Sequence, residues 1–196
     1  RAIIDDAVEL AGIELRRRHV SLTTYVAQRL PALHCDPILI EQVVLNLLKN
    51  AAEAIDSAQL PTTRRQIELR VVPRHTPEEG GVIGFSVTDR GPGVREDVLA
   101  RLYEAFFSTK AEGLGIGLSL CRSIIESHRG RMRAQNLYNG EAVSGCRFAF
   151  TLPVSGVLAY RYWVGAGRLR SRLRFGALAL TREYAARRLT TERQAL

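Results

Sequence analysis

Glycine falls at alternate positions in two short runs, Asp89-Arg90-Gly91-Pro92-Gly93 and Gly113-Leu114-Gly115-Ile116-Gly117. The first run ends a segment of alternating apolar residues. The second leads straight into a helix-periodic one. Glycine spaced this way suits neither a helix interior nor a strand interior, because it adds backbone freedom and no packing. It suits backbone that must turn sharply or lie close to another group. Each run taken alone is also consistent with an ordinary turn or a flexible loop entering a helix.

The rest of the pattern supplies the elements around these runs. Residues 2–18 put Ile3, Ala7, Leu10, Ala11 and Leu15 on one helical face. Val20, Leu22 and Val26 follow at period two, as in a strand. Asp36-Pro37 is a helix start, a capping acid followed by proline in the first turn. That helix runs to about Ser57 and buries Ile40, Val44, Leu47, Leu48, Ala51 and Ile55. Ile67, Leu69 and Val71, then Ile83, Phe85 and Val87, form two alternating segments joined by the polar stretch Pro73 to Gly81, which predicts a hairpin. A helix starts near Gly115, carries Leu118, Cys121, Ile124 and Ile125, and ends around His128, with Gly130 as its left-handed cap. Two strands close the domain, Met132 to Leu137 and a segment through Cys146, Phe148, Phe150 and Leu152. Hairpins mixed with crossovers predict an α/β fold, a two-layer sandwich with a mixed sheet of about five strands on three helices.

Charge divides the chain near residue 154. The net charge is +8, but residues 155–196 hold nine arginines, no lysine and two glutamates, a net of +7 that leaves +1 for residues 1–154. A nucleic-acid partner is therefore not expected for residues 1–154. The segment 168–195 has the spacing of a basic helix, through Leu169, Leu173, Ala177, Leu180 and Tyr184, or is an extension without regular structure. No apolar run is long enough to span a bilayer, and the first residues lack the layout of a signal peptide. Cys35, Cys121 and Cys146 lie far apart, which implies neither a disulfide framework nor a zinc site.

Three groups of residues have the make-up of a phosphate-ligand site. On the helix from Pro37, Gln42, Asn46, Asn50 and Glu53 align along one side. Asparagine is a poor helix former, so two facing alike mid-helix ask for a reason. They are a row of oxygens able to hold magnesium and water near phosphates, or a solvated face. Asp89 ends a strand, where a buried carboxylate accepts from an exocyclic amine, or it belongs to an ordinary turn. Gly113 to Gly117 offers free N–H groups at a helix start, with Lys110 just before it. The P-loop pattern is absent, and leucines at 118 and 120 break the dinucleotide fingerprint.

The order of these groups is more specific than any one of them. Asn46-Leu47-Leu48-Lys49-Asn50-Ala51 resembles the N box of sensor histidine kinase ATP-binding domains. Asp89 to Gly93 resembles their first glycine box, Tyr103 to Lys110 their F box and Gly113 to Leu118 their second glycine box. Phe150-Thr151-Leu152-Pro153 is similar to the way these domains end. The resemblance covers residues 1–154 and is nearest to the nitrogen-regulatory, oxygen-sensing and dicarboxylate-sensing branch. The superfamily also includes gyrase, chaperone and mismatch-repair ATPases.

The resemblance implies the Bergerat ATP-binding fold, with ATP and Mg2+ as cofactors. It makes Asn50 the magnesium ligand and sets Asn46 toward the phosphates. ATPases of the superfamily have a glutamate there as general base. An amide cannot take that proton, which points to phosphoryl transfer rather than hydrolysis. Glu53 faces magnesium-bound water or phosphate-side groups, Asp89 accepts from the adenine amino group, and Gly91 and Gly93 border the base. Val94 to Glu112 becomes a mobile lid. Thr109 and Lys110 face the nucleotide, with Lys110 on a phosphate. Gly113, Gly115, Gly117 and Leu118 offer backbone N–H groups. Ser119, Ala105 and Arg129 stand where the family often has asparagine, proline and glycine.

The implied partners are a histidine-containing dimerisation domain and the receiver domain of a response regulator. His19, His34, His75 and His128 do not stand in a phosphoacceptor setting. The chain is thus expected to be a piece of a longer kinase, monomeric alone and homodimeric in the parent. Its expected location is the cytoplasm, whether or not the parent is membrane-anchored. The competing reading is a non-catalytic nucleotide-sensing or interaction module.

Overall fold

The computed structural model describes residues 1–76, 78–108 and 115–154. Thr109, Lys110, Gly113 and the arginine-rich extension from residue 155 lie outside the described residues. Helix α1 (Ala2–Arg17) is followed by β1 (Ser21–Val26), α2 (Pro37–Ser57), a 3-10 turn (Thr62–Arg64), β2 (Gln66–Thr76) and β3 (Gly80–Asp89). Then come α3 (Glu96–Arg101), α4 (Gly117–Ser127), β4 (Arg131–Asn139) and β5 (Ala142–Pro153). The sheet order is β1-β2-β3-β5-β4, with β1 parallel to β2 and every other pair antiparallel. The five-stranded mixed sheet is the one the alternation predicts.

The core lies between the sheet and α1, α2 and α4. Ile67, Leu69 and Val71 of β2, Ile83, Phe85 and Val87 of β3, and Phe148, Phe150 and Leu152 of β5 face the helices and are buried. Phe85 and Phe150 stack with ring centroids 4.5 Å apart. Helix α2 lies at the centre and buries the residues its period marks, together with Val43 and Ala52. Asp36 caps it, Oδ1 accepting from the N–H groups of Ile38 and Leu39 at 2.9 and 3.2 Å. The opposite face of the sheet carries alternate residues of the same strands, including Arg70 and Arg74 of β2, Arg147 of β5 and Arg133 of β4.

Four expectations change in detail. Leu10 is 54% exposed, and Ile4 takes its place in the α1 core face. The hairpin strands run further than the polar loop suggests, to Thr76 and from Gly80, because only the turn itself needs those residues. A short helix, α3, stands inside the segment read as lid, and its six residues are too few to show a period. The left-handed residue after α4 is Arg129 (φ 59°), not Gly130. The Arg129 N–H donates to Glu126 C=O and the Gly130 N–H to Ile125 C=O, which closes the helix end around Arg129. Gly130 is needed for space, since a Cβ there would lie 2.0 Å from the Thr151 carbonyl oxygen.

Candidate functional site

The strand ladder delivers Asp89 to the edge of the helix layer. It is the last residue of β3, pairs with Ile67 on one side and Cys146 on the other, and is 2% exposed. Its Oδ1 accepts from Gly91 N–H at 2.8 Å and from Cys146 N–H at 3.4 Å. Burial pushes the carboxyl above the usual range, and those backbone bonds oppose it. The Cys146 thiol beside it is pushed up to about 12, by burial first and then by the Asp89 charge. A carboxylate held this deep is poised to accept a hydrogen bond from a ligand that displaces water.

The loop after Asp89 folds back on α2. A Cβ added at Gly91 would lie 3.7 Å from Ala54, so Gly91 rests against the C-terminal part of that helix. Gly93 has φ +75°, and a Cβ there would lie 2.3 Å from Val143 Cγ1 and 2.9 Å from Asn136 Oδ1. Only glycine meets both demands.

Asn46 stands at the other end of the row on α2. Its Nδ2 donates to Cys121 Sγ of α4 at 3.0 Å. A Cβ added at Gly117 would lie 3.0 Å from the same Nδ2, so the Asn46 amide touches the start of α4. Asn50 and Glu53 stand half-buried between Asn46 and Ala54, while Gln42 is exposed. Helix α4 begins after Ile116 without a side-chain cap. The first N–H groups of this helix, at Gly117 and Leu118, therefore lack the side-chain acceptor that Asp36 gives α2.

The segment between these ends is anchored at both sides. Phe106, 81% exposed and at φ 66°, donates its N–H to Gly115 C=O at 3.0 Å. A Cβ on Gly115 would lie 2.5 Å from Phe106 backbone. Arg101 covers the Phe107 ring at 4.3 Å. Tyr103 packs against the core with its ring 5.1 Å from the Arg122 guanidinium. Its hydroxyl is the one buried side-chain polar atom without a hydrogen-bond partner among the described residues. Burial pushes the phenol up to about 12.

Asn46, Asn50 and Glu53 on α2, Gly91 against Ala54 with Asp89 and Gly93 beside it, and Gly117 against Asn46 with Gly115 and Leu118 beside it thus lie along one side of α2, the candidate cleft. Ala54, Tyr103, Cys121, Asn136 and Cys146 also line or brace it, and the sequence reading missed them. Tyr103 lies in the stretch that resembles the F box, Cys121 and Cys146 at expected core positions, and Asn136 on an expected strand, but none of them is marked there as a site residue.

Residues 35–156 match the family of histidine kinase-, DNA gyrase B- and HSP90-like ATPases. The chain belongs to that family. It is 36% identical over 152 residues to the C4-dicarboxylate transport sensor protein DctS of Rhodobacter capsulatus, covering 78% of this chain and 22% of the relative. It is 37% identical over 153 residues to the sensor protein FixL of Bradyrhizobium diazoefficiens, covering 78% of this chain and 28% of that one. The chain therefore spans under a third of the length of these relatives. The nucleotide-free catalytic domain of the histidine kinase ThkA superposes with TM-score 0.60 at 27% identity, covering 78% of this chain and 91% of that one. Full-length ShkA in complex with AMPPNP shares the fold with TM-score 0.61 at 24% identity, covering 79% of this chain and 30% of that one. The fold is the Bergerat ATPase fold, and the domain is similar to the ATP-binding catalytic domains of sensor histidine kinases.

Proposed function

We propose that this domain binds Mg-ATP along α2 and transfers the γ-phosphoryl group to a histidine on a separate dimerisation domain, from which it passes to an aspartate of a response regulator. The observation that carries the reading is the distance between the two ends of the cleft. Eight residues of helix separate Asn46 from Ala54, about 12 Å, which suits a nucleotide lying with its base at Asp89 and its phosphates at Gly117.

In this reading Asp89 accepts from the adenine amino group, and Gly91 and Gly93 border the ring. The N–H groups of Gly115, Gly117 and Leu118 donate to phosphate oxygens, assisted by Gly113, Thr109 and Lys110 from outside the described residues. Among the described residues no three of His, Cys, Asp and Glu stand together as a cage. The donor set fits a hard cation held mainly by phosphates, with Asn50 as protein ligand and Glu53 toward its waters. Magnesium supplies neutralisation of the phosphate charge when bound. Asn46 has no basic atom to activate water, so the site aligns an incoming histidine instead.

No helix among the described residues is long and apolar enough to cross a membrane. We place the domain in the cytoplasm, where ATP and receiver domains meet. Residues 1–154 form the catalytic domain in this proposal, and residues 155–196 are an extension outside it. The parent kinase is a homodimer, and this piece alone a monomer. Mixing the protein with γ-labelled ATP and a dimerisation hairpin from a relative tests the transfer. Label on the hairpin histidine is the expected result. ATP binding without transfer would favour a nucleotide-sensing module.

A further inference from the structure

Asp89, Cys146 and Asn136 form one row across β3, β5 and β4, because Asp89 pairs with Cys146 and Cys146 pairs with Asn136. Both outer members of the row reach into the loop after β3. Asp89 Oδ1 takes the Gly91 N–H at 2.8 Å. Asn136 Oδ1 takes the Val94 N–H at 2.8 Å, and Asn136 Nδ2 donates to the Val94 C=O at 2.6 Å. The loop from Arg90 to Val94 is therefore stapled at both ends by side chains of a single row. An amide is suited to this, since it offers a donor and an acceptor side by side and can pair a peptide group as a neighbouring strand would. The pairing of β4 with β5 shifts register just beyond, between Leu137 and Tyr138, and such an irregularity re-aims nearby side chains. Gly93, in its left-handed conformation, presses against the Asn136 amide.

We infer that Asn136 is a positioning residue for the nucleotide base, holding the Gly93–Val94 backbone at the edge of the base site without touching the ligand. The inference rests on the ATP reading and adds a residue on β4, remote in sequence from every glycine box. Asp89 makes the polar contact to the base. Asn136 sets how closely the backbone at Gly93 can approach the ring, and therefore how well an adenine fits compared with a guanine.

The effect is confined to the base end. Asn136→Ala should weaken ATP and adenosine by the same factor, about tenfold, as expected for a lost pair of backbone bonds. The ratio of ATP to GTP affinity should fall in step, while the magnesium-dependent gain in ATP affinity stays at its wild-type value. Asn136→Asp keeps the shape and the acceptor for Val94 N–H but sets an oxygen against Val94 C=O. It should show the same loss of adenosine affinity with the fold intact, as read by thermal melting. Wild-type adenosine affinity and selectivity in both folded variants would overturn the role while leaving the ATP reading in place. A loss seen with ATP but not with adenosine would overturn it as well. Failure of the wild-type protein to bind any nucleotide would refute the ATP reading, and this role with it.

Discussion

Asp89 sits 2% exposed at the end of a central strand, fixed by backbone donors from its own loop and from β5. Asn46, Asn50 and Glu53 stand half-buried along one helix face, opposite an uncapped helix start. The Asp89 end of the cleft is thus a dry, sheet-built socket, and the Asn46 end is a wetter, helix-built one. In the proposed function the difference follows from the ligand chemistry each end serves. A planar base is recognised by one well-placed acceptor in a place without water, where a hydrogen bond gains strength. A triphosphate with magnesium brings its own charge and water, so it is better met by a dipole, amide oxygens and solvent access.

The largest effect should come from removing the charge at the dry end. Asp89→Asn keeps an oxygen for the Gly91 and Cys146 N–H groups but loses the charged acceptor, and nucleotide affinity should fall about 100-fold, the scale of a hydrogen bond to a charged group. The same change should not destabilise the unliganded domain. Burial raises the Asp89 pKa in the folded state, so the folded form binds this proton more tightly than the unfolded chain does. Stability from this group is therefore present at low pH and lost as pH rises from the unfolded value through the raised folded one. Across that window, wild type should lose stability relative to Asp89→Asn as pH rises, read as the difference between their melting profiles. A variant that unfolds, or binds ATP normally, would break the picture of a buried carboxyl that the ligand needs as its acceptor.

A smaller and selective effect is expected at the wet end. Asn50→Ala should remove about tenfold of ATP affinity in the presence of magnesium and almost none in its absence, by calorimetry in both conditions. Equal losses with and without the metal would mean that Asn50 acts on the nucleotide rather than on its cation.

The smallest effect lies away from both ends. Arg129 holds a left-handed conformation that glycine adopts freely. Arg129→Gly should raise stability by about 0.5–1 kcal/mol and leave ATP affinity unchanged. A change in affinity would show that the far end of α4 feeds back on its phosphate-facing start.

The two ends also differ in how much of them could be read before folding. At the wet end the helix row and the helix start are legible in the sequence. A spacing of four puts Asn46 and Asn50 on one helix side, and alternate glycines before a periodic segment mark a helix start. The dry end was legible only in part. Asp89 and its glycines stood out, but Asn136 did not, because its partner Val94 is 42 residues away. Cys121 was read as a core position, and its contact with the Asn46 amide depends on how α4 crosses α2. Tyr103 belonged to a recognisable box, yet nothing in that box announced a buried hydroxyl without a partner among the described residues.

Amino-acid order by itself determined α2 with its asparagine row, the Asp36 cap, the hairpin, the glycine loops and the family they mark. These depend on periods and turns within a few residues, where backbone preference and side-chain type act directly. Tertiary structure alone decided that Asp89, Cys146 and Asn136 share a row, that Arg129 rather than Gly130 turns left-handed, and that the α2 row connects two unlike sockets. Those outcomes depend on strand register and helix crossing. Both are set by burying one common core, and no local stretch of sequence carries that information.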